Sequence, residues 1–147
     1  MVRHHHQRNV RLIAVIAALT AATAVGAAPA GMPQPLTATP GDAHRGAAIA
    51  LDANKGNCII CHAIPSPNVP QGAAGDLGPP LAGVGARLTA AELRARIVDP
   101  KRISPDTIMP GYYVTQGLTR VQAKYAGKTI LSAQDIEDLV AFLETLK

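Results

Sequence analysis

The sequence predicts an all-α, loop-rich domain whose helices wrap around an apolar body that the chain does not itself supply. Two observations give the helices. Several stretches pair a capping residue with apolar positions at helical spacing, and no run alternates long enough to make a useful strand. A shortage gives the apolar body. Of 147 residues 48% are hydrophobic, yet only Tyr112, Tyr113, Tyr125 and Phe142 are aromatic and Trp is absent. Large side chains therefore cannot fill the core, and with loops outnumbering helices the chain needs something else to organise it. Its length gives one domain and excludes a multidomain enzyme.

The first element is a secretory signal. Residues 1 to 11 carry Arg3, Arg8 and Arg11 with no acid, and residues 12 to 25 are apolar or small apart from Thr20 and Thr23. That run is shorter than the roughly 20 residues that cross a bilayer. Val25-Gly26-Ala27 places small groups for cleavage after Ala27, with Ala28 and Ala30 as alternatives. The expected divisions are a signal peptide over 1–27, a Pro-rich leader over 28–41 and one domain over 42–147. His4 to His6 fall in the signal and are excluded from any metal site. A pI near 9.4 invites a nucleic-acid reading. Removing Arg3, Arg8 and Arg11 from the 14 basic residues leaves 11 against 10 acidic ones, so no nucleic-acid partner is expected.

The leader holds four prolines and no charge, which predicts an extended, loosely held segment. Asp42 caps a short helix over about 43 to 52, with Ala47, Ala48, Ile49 and Leu51 as its apolar surface. Pro and Gly spacing makes 63 to 86 a loop. Thr89-Ala90-Ala91-Glu92 is a capping box opening a helix that buries Leu93 and Ile97 and ends before Pro100. Residues 101 to 119 return to loop, and Gln122 to Tyr125 form one turn stopped by Gly127. Ser132 caps the last helix, where Asp135, Glu137 and Asp138 favour the positive end of the dipole. Ile136, Leu139, Val140 and Leu143 form its buried stripe, widened by Phe142 and Leu146.

The chemistry sits at Cys58-Ile59-Ile60-Cys61-His62. Cys-x-x-Cys-His is the haem c attachment sequence. In a tight turn, two thiols three residues apart reach the two vinyl groups on one porphyrin edge, and the adjacent imidazole reaches the iron. A disulfide or a thioredoxin-type redox pair uses the same cysteines, but the latter sits in a βαβ unit that this chain lacks. A structural zinc site needs four ligands, and the mature chain offers only these three and His44. Met32, Met109 and His44 are candidates for the sixth position on iron. Met32 lies in the leader and His44 in a packing helix, whereas Met109-Pro110 lies in a loop long enough to reach the opposite face. A gap-filling core methionine is the alternative for Met109. Gly78-Pro79-Pro80-Leu81 follows at a length that brings a carbonyl to the other nitrogen of His62; an ordinary proline-rich turn reads the same.

These residues resemble class I cytochrome c over about 42 to 147. The resemblance implies one covalent haem c attached by Cys58 and Cys61, iron ligation by His62 and Met109, a carbonyl from Pro79 to His62, and Leu81 packed on the porphyrin. A narrower set resembles the SoxX family, the small monohaem subunits of bacterial SoxAX. It comprises KGNCIICH over 55–62, GPPL over 78–81, Met109-Pro110, and above all RVQAKYAGKTILSAQDIEDLVAFL over 120–143.

That resemblance implies a periplasmic heterodimer with a SoxA cytochrome subunit of one or two haems. The pair conjugates thiosulfate to a cysteine of the carrier SoxYZ, with the substrate chemistry on SoxA and electrons passing onward to another cytochrome. The chain would then be a non-catalytic subunit of an L-cysteine S-thiosulfotransferase, with no membrane attachment after signal cleavage. No spare cysteine, carboxylate cluster or Ser-His pair contradicts the absence of catalytic residues. The face rimmed by parts of 63–80 and 104–117 is the expected docking surface. A free soluble class I cytochrome c carrier is the alternative, and a haem sensor or small peroxidase would need an open sixth position.

Overall fold

The computed structural model describes Met1 and residues 31–69 and 72–147. Apart from Met1, the expected signal peptide lies outside the described residues. Four α-helices form: α1 Ala43–Leu51, α2 Val84–Arg87, α3 Ala90–Val98 and α4 Ala133–Thr145. Single 3-10 turns occupy Cys58–Ile60, Pro100–Arg102 and Ala123–Tyr125. The described residues contain no strand, as an all-α class predicts, and no helix among them is long and apolar enough to cross a membrane.

The caps form where the sequence places them. Asp42 accepts from the Arg45 amide at 2.9 Å. Thr89 with Glu92, and Ser132 with Asp135, each form a reciprocal capping box that satisfies two otherwise orphaned amides. Helix α4 is the hub, packed by α1 along its length and by α3 and α2 at other faces. It buries Ile136, Leu139, Val140, Phe142 and Leu143, while α3 contributes Leu93, Ile97 and Val98.

Helix α1 packs Ala47, Ile49 and Leu51 on the core as expected, and a glycine joins that face. Gly46, Ile49 and Ala50 are buried, whereas Ala48 is exposed. The reason is close approach: a Cβ on Gly46 would overlap the Asp138 carbonyl and stand 2.7 Å from Phe142 Cβ. Only glycine lets the two backbones meet.

The leader is not loose over its described part. The Met32 amide donates to the Ala91 carbonyl at 2.8 Å, the Leu36 amide donates to Glu137 at 2.9 Å, and Met32 and Leu36 pack on the core. A strap without charge or helical period is held instead by charges elsewhere. Arg94 donates through Nε and one terminal nitrogen to both oxygens of Glu137, at 2.7 and 2.8 Å, and through the other to the Met32 carbonyl at 2.6 Å. Arg94 and Glu137 are 4% and 5% exposed, so each would be an uncompensated buried charge without the other.

Glu137 and Asp138 thus do more than favour the helix dipole. Asp138 is buried and accepts from Arg45 at 2.7 and 2.9 Å and from the Asp42 amide at 2.8 Å, locking the start of α1 to α4. The expected loop over 63 to 86 is also interrupted, because α2 begins at Val84. Gly83, at φ 69°, turns the chain, and the Gly85 amide docks on the Leu146 carbonyl at 3.0 Å. This turn is made by tertiary contact with the end of α4 rather than by local propensity.

Candidate haem-binding site

The site begins where α1 ends. Asn57 takes a left-handed φ of 46° and tips the chain into the Cys58–Ile60 turn. There the Cys61 and His62 amides both donate to the Cys58 carbonyl, at 3.2 and 2.9 Å. This tight turn puts the two cysteines one turn apart with the imidazole directly following. Both are free thiols and half-buried. Burial pushes the Cys58 thiol up to about 11.

The segment after the motif folds back over it. Gly75 donates to the Ile59 carbonyl at 2.9 Å, Gly78 to Cys61 at 2.8 Å and Leu81 to Ala63 at 2.9 Å. These bonds set His62 Nδ1 2.7 Å from the Pro79 carbonyl. With Nδ1–H donating to that carbonyl, Nε2 carries the free lone pair. A Cβ on Gly78 would overlap His62 Cε1 and stand 2.6 Å from Nδ1, so glycine makes the cradle in which the ring lies. Leu81 is half-buried against the core.

Met109 lies in the loop after the Pro100–Arg102 turn, half-buried against the same core as Cys58 and Leu81. Its amide donates to Thr107 Oγ1 at 3.2 Å. Of the other two ligand candidates, His44 is exposed on α1 and Met32 is held in the strap beside α3. The sequence reading missed Tyr112. Its hydroxyl donates to the Gly56 carbonyl at 2.8 Å, its amide to Ile97 at 3.0 Å, and burial pushes its phenol up to about 12. A tyrosine three residues after the loop methionine, in a chain with so few aromatics, was the available signal.

Residues 43–147 match the family Cytochrome c. The chain belongs to the cytochrome c family. It is also similar to a chain in the crystal structure of SoxXA from P. pantotrophus. The two are 38% identical with a TM-score of 0.72, over 80% of this chain and 90% of that one. No curated protein matches the chain. Family and likeness together make it a SoxX-type cytochrome, for which the family implies covalent haem c and electron transfer.

The residues of this cytochrome fit such a group. The donor set offers two thiols one turn apart and an imidazole with Nε2 free, the chemistry that haem c attachment requires. Each segment also leaves a large apolar side chain bare beside its key residue: Ile60 in the motif, Leu77 before Gly78 and Ile108 before Met109, at 63%, 70% and 76% exposure. Among the described residues no cluster of three or more His, Cys, Asp or Glu side chains could hold a metal ion, so the zinc alternative lacks a donor set there. A cleft of about 240 Å³ beside α1 and α4 is lined by Arg45, Asp52, Lys55, Asp135 and Asp138. Arg45 pairs with Asp138, Lys55 pairs with Asp135, and Asp52 accepts from the Asn54 amide.

Proposed function

We propose that this cytochrome is the electron-transfer haem subunit of a periplasmic SoxXA-type complex that oxidatively conjugates thiosulfate to a carrier cysteine. In this reading Cys58 and Cys61 hold one haem c, His62 and Met109 ligate its iron, and Leu81 packs against its plane. The likeness to the SoxXA chain supports the complex, and the observation that carries the haem assignment is the His62 setting. The Pro79 carbonyl and the Gly78 cradle fix the ring in the tautomer and orientation that a proximal ligand needs. Bound haem supplies one-electron exchange. Joining thiosulfate to a thiol as an S–S bond releases two electrons and one proton, and the electrons leave singly through carriers of this kind.

The chain's own residues make it a relay rather than the seat of that bond. Its two cysteines are committed to attachment, and its buried carboxylates Glu137 and Asp138 are committed to Arg94 and Arg45. The thiosulfate chemistry therefore belongs to a SoxA partner, with SoxYZ as carrier and a further cytochrome as electron acceptor. Export to the periplasm with cleavage near Ala27 brings the thiols to the compartment where haem c is attached.

Co-expression with a SoxA-type subunit tests the proposal. One red heterodimer whose haem in this chain becomes reduced when thiosulfate and SoxYZ are both added is the expected result. A monomer that is reduced only by other cytochromes would instead identify a free carrier.

A further inference from the structure

One stretch of surface holds none of the residues assigned to the haem. Every residue from Thr115 to Lys128 is exposed. The stretch is nonetheless held in defined turns, with the Tyr125 amide donating to Gln122 at 2.9 Å and Lys128 to Tyr125 at 3.0 Å. Its ends are pinned together where the Leu131 amide donates to the Tyr112 carbonyl at 3.0 Å. That pin lies three residues after Met109. The chain from 113 to 130 is thus a projecting arm rooted beside the Met109 loop, of the looped-out kind that carries function in many folds.

Its surface mixes bare hydrocarbon with cations and carries no acid. Leu118, Val121, Tyr125 and Ile130 are 48%, 41%, 55% and 53% exposed, four of the nine large hydrophobics left bare among the described residues. Arg120, Lys124 and Lys128 are interleaved with them, and no Asp or Glu occurs between Asp106 and Asp135. Among the described residues these three make no ion pair, and with no acid within the arm nothing on it offsets their charge. Lys124 stands 4.7 Å over the Tyr125 ring, so even the cation contact is local to the arm. Clustered bare apolar side chains mark a surface that is covered in the assembled protein. Unpaired cations among them set the sign of what covers it.

We propose that the 113–130 arm is the docking surface for the second subunit of the complex, which meets it with an apolar patch rimmed by carboxylates. Permanent interfaces are more apolar than transient ones, and clustered bare hydrocarbon on one arm fits an interface that stays closed. The inference rests on the heterodimer reading above and extends the expected rim from 104–117 along the chain to Ile130. It also places the partner beside the Met109 loop.

The test uses the holo-heterodimer, with its dissociation followed by sedimentation at the haem absorbance. The variant Arg120→Glu/Lys124→Glu/Lys128→Glu is compared with wild type and with the exposed α1 control His44→Glu. The arm variant should dissociate at least about tenfold more readily at low salt, with a flattened salt dependence, while its optical spectrum stays that of wild type. Leu118→Ser/Tyr125→Ser should weaken the pair at all salt concentrations. Equal affinity of wild type and both arm variants overturns the arm while leaving the heterodimer standing. Unchanged heterodimers alongside lost binding to anionic phosphatidylglycerol vesicles would make the arm a lipid contact and overturn it too. Failure of wild type to pair with any SoxA-type subunit overturns the function reading and the arm with it.

Discussion

The Tyr112 hydroxyl donates to the Gly56 carbonyl at 2.8 Å, tying the chain just after Met109 to the chain just before Cys58. One buried hydrogen bond thus couples the two segments that would approach the haem from opposite sides. Tyr112→Phe keeps the ring and removes the donor, leaving the Gly56 carbonyl without this partner. The expected loss is about 1 to 2 kcal/mol in urea unfolding, together with a weaker Met109 bond to iron and easier displacement of Met109 by cyanide. Unchanged stability and unchanged cyanide affinity would mean that the bond links nothing of consequence.

Gly78→Ala drives a methyl into the His62 ring, which has no room to yield without losing the Pro79 carbonyl. The variant should accumulate less holoprotein, and what forms should show a perturbed iron–imidazole vibration. Gly72→Ala, at a position whose Cβ meets nothing within 4 Å, is the comparison; its positive φ costs some stability but leaves the His62 signature intact. Identical vibrational spectra for Gly78→Ala and wild type would remove the cradle from the account.

The Arg94–Glu137 pair predicts a large effect at a distance from the haem. Arg94→Ala leaves Glu137 buried without its guanidinium and also releases the Met32 carbonyl. A loss of about 3 to 5 kcal/mol is expected, with faster proteolysis of residues 31 to 41. Arg96→Ala, two residues along the same helix and half-exposed, should cost far less.

Much of this domain is legible in the sequence because its signals are local. Thr89 with Glu92 and Ser132 with Asp135 are three apart, as are Cys58 and Cys61, so one turn of backbone brings each pair together. The stripe from Ile136 to Leu143 needs only helical period. Glu137 and Asp138 were illegible as anchors because their partners Arg94 and Arg45 lie 43 and 93 residues away. The strap from Gly31 to Gly41 has no pattern of its own and is ordered by α3 and α4. Gly46 reads as a weak helix residue until α4 is laid against it. The His62–Pro79 approach was foreseeable as a loop length, while Tyr112 was not, since its partner is a backbone carbonyl that carries no sequence signal.

Acid stability follows from Asp138. Hydrogen bonds from Arg45, working against burial, hold its carboxyl down to about 2 from an ordinary 3.8. Glu137 is also held below its ordinary value: burial opposes this, and the Arg94 hydrogen bonds outweigh it. Because the folded values are depressed, the stabilisation is complete above about pH 4 and is lost as pH falls toward 2. Asp138 alone should account for about 2 kcal/mol of that loss in urea titrations at stepped pH. Asp138→Asn should be less stable near neutrality and show a flatter acid limb.

Met109→Ala should leave the haem covalently attached but open one face of the iron. The reduced variant should bind carbon monoxide at neutral pH and its reduction potential should fall, since a thioether ligand favours the reduced state. Met32→Ala should do neither. A carbon monoxide complex that forms with Met32→Ala and not with Met109→Ala would transfer the ligand role to the strap.

The most direct measurement is the absorption spectrum of the purified exported protein, oxidised and reduced, with and without carbon monoxide. The account predicts a haem that resists acid-acetone extraction, the near-infrared band of a sulfur-ligated ferric iron, and no change with carbon monoxide. A colourless protein with two titratable thiols, or a wild-type reduced form that takes up carbon monoxide at neutral pH, would contradict it.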